Sequence, residues 1–213
     1  MHVLIVHAHM EPTSFTTALT NTAVATIKAA GHTVEVSDLY ASEFDPVAGR
    51  HDFKGVADAQ RFHYQTEQAK AAAEKSFADQ LAVEQDSVRR ADLIIFAFPL
   101  WWGGPPAILK GWIDRVLAYG FAYVDGARFD SGHFKDKRGL LCVTTGGTPE
   151  RFSESGVYGP IEQVLRPLQH LTLAYMGMQV APPFAAYGAP RVSAEARAAY
   201  LQEWSVRVRG MLS

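Results

Sequence analysis

Two adjacent indoles followed by two glycines, in Phe98-Pro99-Leu100-Trp101-Trp102-Gly103-Gly104-Pro105-Pro106, are residue types suited to holding a flat aromatic ligand. Indoles offer ring surface, and glycines let a planar group lie against main chain. Upstream, Asp92-Leu93-Ile94-Ile95-Phe96-Ala97-Phe98 is a near-continuous apolar run, the pattern of a strand buried on both faces. Downstream, Pro105 and Pro106 stand where a helix begins, a position that tolerates the missing N–H. The loop therefore falls at the carboxyl end of a parallel strand, where open α/β sheets bind ligands. A flavin is a ligand of this shape. Aromatic core packing is the competing reading for either tryptophan alone.

Two further loops have matching chemistry. In His9-Met10-Glu11-Pro12-Thr13-Ser14-Phe15-Thr16-Thr17, hydroxyls and backbone N–H groups gather at a helix N-terminus, an anion site expected to take the flavin phosphate. Taken alone, Thr13 or Ser14 could simply cap that helix, and His9 could be a structural hydrogen-bonder. In Thr144-Thr145-Gly146-Gly147-Thr148, tandem glycines after a buried strand can aim several N–H donors at the pyrimidine edge of a flavin. Such donors oppose the negative charge that develops there on reduction. An ordinary strand-to-loop turn is the alternative. Neither G-x-G-x-x-G nor G-x-x-x-x-G-K-[ST] occurs, so the usual dinucleotide and triphosphatase fingerprints are missing.

The elements that must position these loops alternate strand and helix. Strands are expected at 3–6, 33–36, 93–98 and 140–144, with a fifth starting at 178–180 and continuing toward Ala185. Helices are expected at 14–30, 66–91 (whole or broken), 107–117, 159–175 with an interruption at Pro167, and 193–211 with Ser193 as N-cap. This alternation predicts a doubly wound parallel sheet with helices on both faces, and five strands suit the flavodoxin-like order 2-1-3-4-5, in one domain spanning 1–213. The loops after strands 1, 3 and 4 then converge on one site. The irregular stretch 41–65 is too long for a plain loop, so it should cover a pocket or a partner subunit. Its aromatic neighbourhood, Phe53, Phe62, Tyr64 and Phe77, suits either an interface or the domain's own core.

The chain has 213 residues, 48% hydrophobic and 20% charged, with a formal net charge of −2, ordinary for a soluble globular protein and lacking the basic footprint of a nucleic-acid or anionic-membrane binder. Cys142, the only cysteine, lies in Leu140-Leu141-Cys142-Val143 and reads as a small buried hydrophobe. The eight histidines show no metal-ligand spacing, so no metal is expected. With neither a signal peptide nor an apolar run of membrane-spanning length, a cytoplasmic protein without membrane insertion is expected.

Several stretches, taken together, resemble the NAD(P)H:quinone oxidoreductases of the DT-diaphorase type, in the flavodoxin-like superfamily. They are Ala8-His9 through Thr13-Ser14-Phe15, Ser37-Asp38-Leu39-Tyr40, Ala91 through Phe96, Phe98-Pro99-Leu100 with Trp102, Pro106 through Trp112, Arg115-Val116 to Phe121-Ala122-Tyr123, and Thr144-Thr145-Gly146-Gly147. The resemblance implies a bound FAD, or FMN as in some bacterial relatives, NAD(P)H as co-substrate, a quinone acceptor reduced by two electrons in ping-pong fashion, and a homodimer with sites at the subunit interface. By position, His9, Phe15 and Thr16 would contact the ribityl and phosphate portion, and Pro99, Leu100, Trp101, Trp102 and Gly103 the ring. Thr144, Thr145, Gly146 and Gly147 would meet its polar edge, and Arg197 would lie near the adenine half of FAD.

The sequence departs from the mammalian pattern at informative places. The Tyr and His that steady charge near the flavin fall on Phe152, which cannot donate a hydrogen bond, and Tyr158, which can. Catalytic duty is therefore expected of Tyr158 and of the Gly146 and Gly147 amides. In the acceptor pocket, Tyr123 and Tyr158 are accompanied by Asp125 where the family has a second tyrosine, and Gly103 replaces a bulky aromatic. The short C-terminus is like that of bacterial members, some of which are ancillary subunits of potassium efflux systems. A flavin-binding regulatory subunit and an azo- or nitro-compound reductase are the alternative readings.

Overall fold

The computed structural model describes residues 1–212. β1 (His2–His7), β2 (Thr33–Asp38), β3 (Leu93–Pro99) and β4 (Arg138–Thr144) form a parallel sheet in the order β2-β1-β3-β4. Its fifth position is shared by β5 (Gln179–Val180) and β6 (Phe184–Ala186), both parallel to β4, the former beside Arg138 and Gly139, the latter beside Cys142 to Thr144. The single fifth strand expected from the sequence is thus two pieces. Pro182 and Pro183 lie between them, and proline has no N–H to give a ladder.

The apolar runs divide by period two between the sheet's faces. Leu4, Val6, Ile94, Phe96, Phe98, Leu141 and Val143 face one helical layer, made by α3 (Asp79–Arg90), α4 (Ala107–Val116) and α5 (Ile161–Leu168). Val3, Ile5, Leu93, Ile95, Ala97, Leu140 and Cys142 face the other, made by α1 (Phe15–Ala29) and α6 (Ala194–Gly210). Trp204 of α6 is buried there and its indole N–H donates to the Leu19 carbonyl at 2.9 Å, binding the two outer helices together. Cys142 is fully buried, and burial pushes its thiol pKa up, in keeping with a packing role.

The 66–91 segment is two helices. α2 (Tyr64–Glu74) ends where Lys75 turns left-handed at φ 54°, and Phe77 then pairs with Phe53 before α3 starts. The 159–175 segment is α5 followed at once by a wider π turn, Gln169–Leu173, just past Pro167. The long 41–65 stretch covers the domain's own core. Phe44 and Asp52 are buried, and Phe53 packs edge-on or tilted against Phe62, Tyr64 and Phe77 at 5.5 to 6.4 Å between ring centres. No helix among the described residues is long and apolar enough to cross a membrane.

His7 closes β1 inside the protein, with Nδ1 2.9 Å from the Thr20 hydroxyl. Burial lowers its pKa below the ordinary histidine range, against an opposing pull from Asp38. The unfolded chain therefore binds a proton that the folded one refuses. This makes stability full above a pH of about 6.5 and diminishing below it. The urea midpoint should fall between about pH 7.5 and about pH 5.5, and His7→Gln should flatten that decline. An unaltered slope in the variant would remove His7 as its source, leaving His9, whose pKa burial also lowers.

Candidate active site

The loops after β1, β3 and β4 meet at the carboxyl rim of the sheet, and backbone bonds fix their relation. Leu100 N–H donates to the Thr144 carbonyl at 2.8 Å, and the hydroxyls of Thr16 and Thr144 lie 2.8 Å apart, joining the first turn of α1 to the end of β4. A cleft of about 570 Å³ results, lined by His9, Thr13, Ser14, Phe15, Thr16, Pro99, Leu100, Trp101, Thr144, Thr145, Gly146 and Arg197. It continues across Leu100, Thr145 and Gly146 into a second space of about 610 Å³ lined by Trp102, Gly103, Gly147, Phe152 and Tyr158. Both volumes suit small-molecule sites. Tyr123 and Asp125 line neither space. Tyr123 packs edge-on against Tyr119 and Tyr175, and Asp125 is exposed, 3.8 Å from Arg128.

At the α1 end, the hydroxyls singled out in the sequence are committed locally. Glu11 accepts from both the N–H (2.9 Å) and the hydroxyl (2.7 Å) of Thr13, which holds its carboxyl below the usual range. Ser14 Oγ accepts from Thr17 N–H at 3.1 Å as the N-cap. The helix N–H groups left without a partner among the described residues are those of Phe15 and Thr16, the positive end of a helix dipole. His9 adds another. Its Nδ1 accepts from Glu11 N–H at 3.0 Å, so the neutral ring carries its proton on Nε2.

The tryptophan loop is a two-residue turn. Trp101 and Gly104 exchange two backbone bonds of 2.9 Å, with φ of 51° at Trp102 and 75° at Gly103. Two successive left-handed residues define a type I′ turn, natural for Gly103 and strained for a tryptophan. Trp102 projects wholly into solvent at 106% exposure, which excludes the core-packing reading for this residue. Trp102→Ala should accordingly leave the urea midpoint of ligand-free protein in place and weaken flavin binding by about 1–3 kcal/mol. A lowered midpoint with unchanged flavin affinity would contradict this.

At the opposite wall, the N–H groups of Gly146 and Gly147 have no partner among the described residues, while their carbonyls accept from Arg191 Nη1 (2.7 Å) and Gly188 N–H (2.8 Å). A Cβ on Gly147 would stand 2.8 Å from Phe152 Cε2 and 3.3 Å from Tyr158 Cε2, so glycine is what lets those rings close on the loop. Phe152 is buried and stacks with Tyr158 at 5.0 Å; Tyr158 is half exposed and its hydroxyl receives Arg151 Nη1 at 3.5 Å. The sequence reading missed the segment after β6. Ala189 and Pro190 line the first space, and Arg151 and Arg191 line a third that shares Gly146, Gly147 and Tyr158 with the second. The Gly188-Ala189-Pro190 turn, following a strand at the same rim, was the available signal.

The family described as Flavodoxin-like fold matches residues 1–208. The chain belongs to the flavodoxin-like fold family. Within it, the chain is 45% identical over 208 residues to the ribosyldihydronicotinamide dehydrogenase [quinone] of Pongo abelii, covering 97% of this chain and 90% of that one. It is 41% identical over 209 residues to the NAD(P)H dehydrogenase [quinone] 1 of Cavia porcellus, covering 98% and 76%. Among solved structures, a Klebsiella pneumoniae protein assigned as a quinone reductase superposes with a TM-score of 0.95 at 37% identity, covering 99% of this chain and 85% of that one. The rim that holds the cleft is thus built on a flavodoxin-like scaffold shared with proteins named for quinone chemistry.

Proposed function

We propose that this protein is a cytoplasmic, flavin-dependent NAD(P)H:quinone oxidoreductase. The observation that carries the proposal is the continuous cleft with unpartnered amides at both ends: Phe15 and Thr16 beside His9, and Gly146 and Gly147 opposite Trp102. This pattern fits a flavin, whose phosphate needs donors at one end and whose ring needs a flat wall and donors at the other. The names of the relatives in Pongo abelii and Cavia porcellus support the same reading. Bound flavin supplies a carrier that accepts two electrons from reduced nicotinamide and yields them to a quinone.

The chain's own residues hold, orient and balance charge. The α1 amides and His9 Nε2–H take the phosphate. Pro99, Leu100, Trp101, Trp102 and Gly103 bear the ring, with Thr144, Thr145 and Phe152 completing the wall. Gly146 and Gly147 N–H oppose negative charge at the ring's polar edge, and Tyr158 holds a proton at its hydroxyl, a task Phe152 cannot share. FAD is favoured over FMN because Arg197 lines the same cleft as Phe15 and Pro190 and so offers a cation that an adenine half could meet. The protein acts as a homodimer, in which Tyr123 and Asp125, absent from the lining of their own chain's cleft, serve an acceptor pocket at the subunit interface.

The test is anaerobic spectroscopy of the purified protein. Flavin absorbance bands should bleach with NADH or NADPH and return with menadione, and initial-rate plots should be parallel. Protein that takes up no flavin on reconstitution would end the proposal.

A further inference from the structure

Arg151 and Arg191 line a space of about 620 Å³ adjoining the cleft, together with Gly146, Gly147, Thr148 and Tyr158. Among the described residues neither guanidinium meets a carboxylate. Arg191 is oriented by its 2.7 Å bond to the Gly146 carbonyl, and Arg151 reaches the Tyr158 hydroxyl at 3.5 Å. Arg191 is further fixed by its loop, whose Gly188 and Ala189 N–H groups bind the Gly147 and Thr145 carbonyls at 2.8 and 2.9 Å. The nearby Glu150 carboxylate is engaged by Thr148 rather than by either arginine. Two placed cations without counter-charge, with most of their donors free, form a site for a multiply charged oxyanion. The space shares Gly146, Gly147 and Tyr158 with the slot that faces the ring, so an anion held here can belong to a molecule lying in that slot.

We infer that Arg151 and Arg191 bind a phosphate of the reduced nicotinamide donor and so determine which donor this protein takes. The inference rests on the quinone-reductase reading above. The relatives bear names for two donors of different charge, one a ribosyldihydronicotinamide and the other NAD(P)H. A riboside has no phosphate for these cations, whereas a dinucleotide has a pyrophosphate and NADPH a 2′-phosphate besides. The pair therefore selects phosphate-bearing donors over the riboside.

The experiment compares four donors with menadione as acceptor: dihydronicotinamide riboside, dihydronicotinamide mononucleotide, NADH and NADPH. In the wild-type holoprotein, kcat/KM for NADH should exceed that for the riboside by roughly 10- to 100-fold, the scale of charge-assisted hydrogen bonds. The double variant R151Q/R191Q should lose most of that ratio, and R151K/R191K should keep most of it. Added salt should raise KM for NADH and leave the riboside's in place. An NADPH preference erased by R151Q/R191Q assigns the 2′-phosphate as the group read; equal use of NADH and NADPH assigns the phosphates nearer the nicotinamide. Calorimetric titration with ADP-ribose supplies a readout independent of turnover, with affinity expected to fall in R151Q/R191Q. Parity of riboside and NADH in the wild type, or an unmoved ratio in R151Q/R191Q, would overturn the inference. Absence of oxidation of every donor would instead refute the quinone-reductase reading, and the ADP-ribose titration would still decide the role of the arginines.

Discussion

Arg115→Met should destabilise the fold by about 3–5 kcal/mol, because it leaves a buried carboxylate without its cation. Arg115 and Asp52 are both buried, at 2% and 0% exposure. Nε and Nη2 of Arg115 donate to Asp52 Oδ1 at 3.0 and 2.5 Å, Nη1 donates to the Asp45 carbonyl, and the Tyr64 hydroxyl donates to Asp52 Oδ2. This network fastens the 41–65 stretch to α4, and it supplies the charge that makes Asp52 tolerable inside. Methionine fills much of the space yet offers no donor. The Asp52→Asn/Arg115→Met double variant should recover part of the loss, since the stranded charge is then removed as well. Equilibrium urea unfolding measures both. A shift below about 1 kcal/mol for Arg115→Met would place the pair among solvent-screened surface bridges and contradict this account.

Gly147→Val should reduce flavin affinity by roughly 100-fold, a loss of about 3 kcal/mol. The new side chain would displace Phe152, which is buried, and through it Tyr158, so the wall facing the ring would open. The change should also swing the Gly147 N–H away from the cleft by disturbing its carbonyl bond to Gly188 N–H. Fluorescence titration of apoprotein with FAD reads the effect, and near-UV dichroism separates it from global unfolding. Normal flavin uptake by a folded Gly147→Val protein would show that close packing of this loop is not needed for binding.

Much of this architecture was legible in the sequence because the signals were local. Four of the strands were apolar or alternating runs, and strand–helix alternation made them parallel, with five strands suiting the order found in the sheet. The loops at His9, Trp102 and Gly146 fell on one rim once that order was granted. What escaped depended on partners distant in the chain. Nothing in residues 41–65 announces that Asp52 will be neutralised by Arg115, 63 positions later. The break in the fifth strand was visible in Pro182-Pro183 but not its consequence, that both pieces keep pairing with β4. Thr13 and Ser14 have the right chemistry for an anion site, yet their hydroxyls satisfy Glu11 and α1 locally, leaving main-chain amides for the ligand. Arg191 lay in a segment without periodicity, and only the fold brings it to Gly146.

One rim of the sheet should grip an isoalloxazine between the tryptophan turn and the glycine pair. A crystal structure of the as-purified protein with its own chromophore tests it most directly. The ring should lie against Leu100 to Gly103, with its pyrimidine edge receiving Gly146 and Gly147 N–H and its phosphate at the start of α1. A chromophore bound instead in the separate groove beside Phe77, Phe121 and Phe134 would contradict it.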